Sequence, residues 1–202
     1  MHRSLQRWLW LFVWLAVLLG TSAGQVPPQA EGWRQLAIDR LAPSQQQQWE
    51  QATAARDLLF ERLMSRLKGV LEEQGAVRAI AVCQEEAPRL ARAVSVEKKL
   101  AIGRTSHKLR TPKNQPPLWA KPWLDPKTTT HPVLLAHADG RLGVLLPIYL
   151  KNQCLLCQGP AATIPEALRA ELKRLYPDDQ ATGFAENELR GWFWVEVPPV
   201  AK

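Results

Sequence analysis

The order in which helical and strand-like patterns follow one another most limits the folds open to this chain. A first helical pattern begins at Pro43 and ends at Gly75, with apolar residues at steps of three and four. A second pattern runs from about residue 76 to 94 and places Cys83 on its apolar face. Pro88 is expected to kink or divide this second helix. The first half of the chain is therefore predicted to be helical.

Strand-like segments dominate the second half of the chain. They cover residues 99–105, 133–138, 141–150 and 189–197, and a short amphipathic helix is predicted over residues 165–175. A Pro-punctuated loop rich in cations, residues 104–116, follows the first strand. Helices that precede strands, with one short helix between the last two, indicate an α+β domain with an antiparallel sheet.

The N-terminal residues have the pattern of a secretory signal. Arginines precede an apolar run from Trp8 to Leu19, small residues follow it, and the run is shorter than the ~18 residues that span a bilayer. We expect a signal peptide over residues 1–23, a linker over 24–42 that is irregular up to Gln35, an N-terminal helix over 43–75 and the main domain over 76–202. The predicted location is the periplasm, with an uncleaved membrane anchor as the alternative.

The charged residues argue against one class of partner. The formal net charge is +7, and the basic residues are scattered along the chain. They do not form the cationic stripe with interleaved aromatic residues that a nucleic-acid surface needs. We expect no nucleic-acid binding, whereas a small acidic ligand or an acidic partner protein would suit this charge.

A Cys-x-x-Cys motif, Cys154 to Cys157, carries the most specific chemistry of the sequence. Two thiols at this spacing can form a disulfide, share a metal ion, or take thioether bonds to the vinyl groups of a haem. A haem-attachment motif normally continues with a His, which becomes the iron ligand. Here Gln158 stands at that position, and Gly159 follows it.

Other chemistries have weaker support in the sequence. A thioredoxin-like pair needs a long helix after the first Cys, and Gly159 with Pro160 leaves only about one turn. A zinc site would need Cys83, His107, Cys154 and Cys157 together, although only one close pair of ligands exists. No local signature supports Cys–His catalysis, so we expect no enzyme.

Several separate blocks of the sequence resemble one family of exported bacterial domains, formerly a domain of unknown function, whose haem-binding members are PAS-like c-type cytochrome domains. The resemblance covers the chain from about Ala79 to its end. The blocks are 81–83 with 87–88, 103–106, 109–110, 112–114, 147–148, Cys154-Leu155-x-Cys157-x-Gly159, 176–183 and 189–191.

The resemblance implies a PAS-like antiparallel sheet preceded by helices. It also implies covalent haem c on Cys154 and Cys157, an iron approached by Cys83, and a role in redox or small-ligand sensing or in electron transfer. Arg104 and Arg110 are the guanidinium groups expected to reach the propionates or another acidic ligand. A redox partner protein, and a homodimer formed through the N-terminal helix, are the expected partners.

The chain departs from the family at the iron site. Gln158 replaces the motif His, Thr111 replaces a preferred Asn, and Asn187-Glu188 replaces a Gly-Asp pair. Haem would then be held by Cys83 alone with Gln158 beside an open site, or a residue such as His107 would supply the imidazole. Alternatively, the domain is a haem-free binding module with a Cys154–Cys157 disulfide, or a thiol–disulfide redox protein.

Overall fold

The computed structural model describes residues 32–200. The predicted signal peptide and the first part of the predicted linker lie outside these residues. Within the described part of the chain, the helices are too short or too polar to cross a bilayer.

A five-stranded antiparallel sheet forms the centre of the molecule. Its strands are β1 (Trp33–Leu36), β2 (Ala101–Thr105), β3 (Val133–His137), β4 (Leu142–Tyr149) and β5 (Leu189–Val197), in the spatial order β1-β3-β4-β5-β2. The α+β class with an antiparallel sheet is therefore confirmed. One prediction was wrong, since the segment expected to be irregular up to Gln35 contains β1, which pairs with the edge of β3.

Both faces of the sheet are covered. Successive apolar side chains of the central strands point to opposite faces, and each face packs against a core of its own. Leu142, Val144 and Leu146 of β4 face the helices, together with Phe193 and Val195 of β5. The residues between them face a second core rich in tryptophan. Its members include Trp33, Trp119, Leu145, Leu189 and Trp192. Burial on both faces explains why the sequence of β4 reads as an almost continuous apolar run.

Helix α1 (Pro43–Ala81) lies across one face of the sheet and buries Ala52, Ala55, Leu59 and Leu63 against it. Gly75 interrupts this helix with φ 81°, at the position where the pattern predicted a helix end. The chain then folds back, so that Val70 packs against Ala79 and Val82. Val77, which lies just after this break, is exposed.

The kink expected at Pro88 takes the form of a π-helical turn over Val82–Glu86, followed by α2 (Ala87–Lys98). Pro88 has no N–H to donate to the carbonyl four residues earlier, and its ring crowds that carbonyl, so the α-helical pattern widens there. Cys83 lies within this turn. The short helices α3 (Leu155–Gln158) and α4 (Glu166–Leu175) follow β4.

Candidate functional site

All three cysteines lie on the wall of one cavity. Its volume is about 620 Å³, within the ~300–1,000 Å³ typical of ligand and cofactor sites. One side of the wall comes from the two arms of the broken helix α1 and from the π-helical turn, and the other from the segment around α3. The apolar part of the wall consists of Met64, Leu67, Leu71, Ala79, Ile80 and Leu156. The cavity therefore suits a largely apolar ligand that can also meet thiols.

The Cys-x-x-Cys motif forms a single helical turn after β4. A short 3₁₀ turn ends at Cys154, α3 continues to Gln158, and Gly159 closes the turn by donating its N–H to the Leu155 carbonyl at 2.8 Å. A side chain at position 159 would begin only 2.7 Å from that carbonyl oxygen. The close end of the turn that carries Cys154 and Cys157 therefore requires glycine at position 159.

Arg110 clamps this turn to the rest of the domain. Its guanidinium donates to the carbonyls of Cys157 at 2.6 Å and Ala181 at 3.0 Å, and it pairs with the Asp179 carboxylate at 3.2 Å. The side chains of Arg110 and Asp179 are only 11% and 10% exposed. Arg110, expected to meet an acidic ligand, therefore makes its contacts within the domain, and one of them holds the carbonyl of the second cysteine.

Gln158 lies on the cavity wall, but its amide oxygen is already engaged. That oxygen accepts a hydrogen bond from the Arg190 guanidinium. Arg190 also donates to the Ser106 hydroxyl at 2.6 Å and to the Lys108 carbonyl at 3.1 Å. The residue at the position of the motif His is thus an acceptor for a buried arginine.

A second, smaller cavity of about 250 Å³ adjoins the first, and Cys83, Cys154 and Gln158 line both. Arg104, predicted to reach the propionates or another acidic ligand, lines the smaller cavity. Two cations that the sequence analysis did not single out, Lys151 and Arg190, also lie there. Arg190 had a detectable signal, since it is a cation at the start of a mostly apolar strand and lies in block 189–191 of the family resemblance.

A family model named "Tll0287-like: Tll0287" matches residues 34–198. This chain belongs to the Tll0287-like family. Its fold is similar to that in the crystal structure of the cyanobacterial heme-protein Tll0287, with a TM-score of 0.58 and 17% sequence identity. The similarity covers 80% of this chain and 99% of that chain. A comparison with curated proteins finds no match.

In this Tll0287-like domain, His107 is not placed to supply the missing imidazole. It lines neither cavity and packs instead between Phe184 and Trp192, with ring centroids 5.8 and 6.0 Å away. Burial lowers the pKa of the His107 imidazole, and the charges of Lys108 and Arg190 lower it further. The zinc site is not formed either, because no three His, Cys, Asp or Glu side chains of residues 32–200 group closely enough to hold a metal ion.

The thiols themselves do not have the environment of a thioredoxin-like pair. All three cysteines are unbonded, so the disulfide alternative is not formed in this structure. Burial raises the pKa of the Cys157 thiol, and the charge of Arg110 only partly opposes this. The helix after Cys154 has four residues, too short for a strong dipole to stabilise a thiolate.

The donor set of this Tll0287-like domain fits haem in part. Cys154 and Cys157 are free for thioether bonds, Cys83 offers a sulfur ligand for iron, and the larger cavity has an apolar wall. Gln158 does not fit as an iron ligand, because a neutral amide oxygen is a poor ligand and this one is held by Arg190.

Proposed function

We propose that this domain binds haem in the larger cavity and serves as a small-ligand or redox sensor. Cys154 and Cys157 would anchor the haem, and Cys83 would be the protein ligand of its iron. The observation that carries this proposal is that three unbonded thiols, the close pair Cys154 and Cys157 and the distant Cys83, lie on the wall of one apolar cavity. Bound haem would supply a one-electron redox centre and an iron that binds small ligands.

The hydrogen bond between Gln158 and Arg190 favours sensing over electron transfer. No His lines either cavity in the described part of the chain, and the Gln158 oxygen is held by Arg190. The cavity wall therefore offers one strong iron ligand, the Cys83 sulfur, and no imidazole to accompany it. An iron held by one strong protein ligand keeps a position available to an external ligand.

The proposal also covers the location of the domain, the cation beside the haem propionates and the partner proteins. The predicted signal peptide supports a periplasmic location, where haem-attachment enzymes of bacteria act on exported chains. Arg104 is the cation we place beside the propionates, since no side chain among the described residues accepts a hydrogen bond from it, whereas Arg110 is largely occupied. A partner protein would carry the output, and the N-terminal helix remains the proposed surface for a homodimer.

The test is to produce the full chain in a periplasm with a working haem-attachment system and to record its visible spectrum. We expect a Soret band that survives acid–acetone extraction in the wild type. Replacing Cys154 and Cys157 with Ala should abolish the resistant fraction, because no thioether bond can then form. Leu156→Ala, which changes the cavity wall between the two thiols, should leave it intact.

Cys83→Ser tests the iron ligand. The Soret band should shift, because a thiolate is replaced by a weakly bound hydroxyl, while the covalent fraction should persist. Glu85→Ser is the matched control, since Glu85 is exposed in the same π-helical turn and lines neither cavity. A colourless wild type with a single free thiol would refute the proposal in favour of the haem-free module with a disulfide.

A further inference from the structure

Among residues 32–200, no acidic side chain pairs with the largely buried guanidinium of Arg190. Its hydrogen-bond acceptors are the Gln158 amide oxygen, the Ser106 hydroxyl at 2.6 Å and the Lys108 carbonyl at 3.1 Å, all of them neutral. Burial lowers the pKa of Arg190 to about 10, so the group still carries its charge at neutral pH. A buried charge without a counter-charge is costly, and an anion beside it would offset much of that cost.

Further cations surround the same space. Arg104, Arg110, Lys151 and Arg190 all line the smaller cavity, and no Asp or Glu of the described residues does. The nearby carboxylate of Asp179 is already paired with Arg110 at 3.2 Å. Within residues 32–200, the charges of Arg104, Lys151 and Arg190 are left without an ion pair.

Neutral groups in the cavity complete a polar wall. Ser106, Thr111, Asn114 and Tyr176 line it and present hydroxyl or amide groups. Two guanidinium groups with such donors are the usual means by which proteins recognise a planar carboxylate. The volume of about 250 Å³ is too small for a porphyrin and suits one small acid group with its nearest atoms.

We infer that the smaller cavity is a carboxylate-binding site in which Arg104 and Arg190 hold the anion. Binding of a free acid needs no haem and goes beyond the proposed function, whereas binding of an acid group of haem rests on that function. Its carboxylate has two sources with the same chemistry. One is a free small acid from solution, and the other is an acid side chain of a ligand that occupies the larger cavity next to it.

The first arm of the test uses acetate and the full chain purified without haem. Acetate binding is followed by titration calorimetry, with chloride of equal ionic strength as the reference. Saturable acetate binding that is weakened at least tenfold by Arg104→Gln supports a free acid as ligand. Arg104 is the residue to change because it makes no side-chain hydrogen bond to the described residues, so its loss should not disturb the fold.

Arg92→Gln is the matched control, because Arg92 lies exposed on α2 and its loss removes the same charge. If the acetate affinity falls equally in both variants, the effect is one of net charge and the site is refuted. Arg190→Lys provides a second variant that keeps the buried charge but loses the planar pair of donors, and it too should weaken acetate binding.

The second arm compares haem with its dimethyl ester, in which the acid groups are blocked. Tighter binding of haem than of the ester in the wild type, with the difference lost in Arg104→Gln, supports an acid group of the neighbouring ligand. If acetate binds no better than chloride, and the ester binds as well as haem, the inference is overturned. The acetate arm alone decides where haem does not bind, so the two proposals can fail separately.

Discussion

The two cavities share part of their wall and differ in their charge. Charges in the larger one balance, with Glu61 and Glu72 set against Lys68 and Arg110. Within the described residues, the smaller one is lined by four cations and by no acid. Cys83, Cys154 and Gln158 belong to both walls. One set of residues thus separates an apolar space, suited to a flat cofactor, from a cationic space, suited to an acid group.

The largest expected effect comes from filling only the larger cavity. Leu71 lines that cavity and not the smaller one, so Leu71→Trp should reduce haem binding by more than tenfold through steric exclusion, while acetate binding stays unchanged. Both can be measured on the same purified variant by absorbance titration and calorimetry. Leu71→Ala, which shortens the same side chain, should still bind haem. Loss of both ligands in Leu71→Trp would show that the cavities are not independent.

Arg110 lines both cavities but differs from Arg104 in being paired. Removing one partner of a buried ion pair typically costs ~3–5 kcal/mol, so Arg110→Met should lower the free energy of unfolding by about that amount. Arg174→Met is the control, because its exposed pair with Glu171 should be worth only ~0–1 kcal/mol. Urea unfolding followed by circular dichroism measures both. Equal losses would mean that Arg110 does not act as a clamp and is as free for a ligand as Arg104.

Gln158 is the shared residue whose change should affect ligand binding in both cavities. Gln158→His restores the haem-attachment motif and should raise the covalently bound haem several-fold, since imidazole is a good iron ligand. The same change removes the acceptor of Arg190 and should alter acetate affinity. Gln153→His is the matched control, because Gln153 also lines both cavities and lies outside the motif. If Gln153→His raises loading equally, the position of the motif is not the cause.

The sequence predicted the parts of this arrangement that depend on local pattern. The spacing of apolar residues predicted Cys83 on the inner face of the second helix. Strand β5 was predicted with the bounds that it has in the structure. Strand β1 was missed because four residues next to a Pro-containing segment carry too little periodicity to indicate a strand. The contact between Gln158 and Arg190 was out of reach for a different reason. The two residues are 32 positions apart and meet only when β5 passes the end of α3.

The smallest expected effect is a shift in the pKa of His107, which reports on the smaller cavity alone. Burial lowers this pKa, and the charges of Lys108 and Arg190 lower it further, while the charge of Glu188 acts in the opposite direction. An anion bound near Arg190 would cancel part of the cationic field, so acetate should raise the pKa of His107 measured by NMR titration. Occupation of the larger cavity by an uncharged apolar ligand should leave it unchanged.

The same residue sets the sign of a pH dependence of stability. Because the pKa of His107 is lower in the folded state than its ordinary value of 6.5, the unfolded chain binds more protons at mildly acidic pH. The free energy of unfolding should therefore fall as the pH drops below that value, and His107→Phe should reduce this fall. Acetate should reduce it as well, since a higher folded-state pKa narrows the difference between the two states. If acetate reduces the fall in the free energy of unfolding with pH equally in the wild type and in His107→Phe, the anion lies elsewhere, and the two cavities are not distinguished.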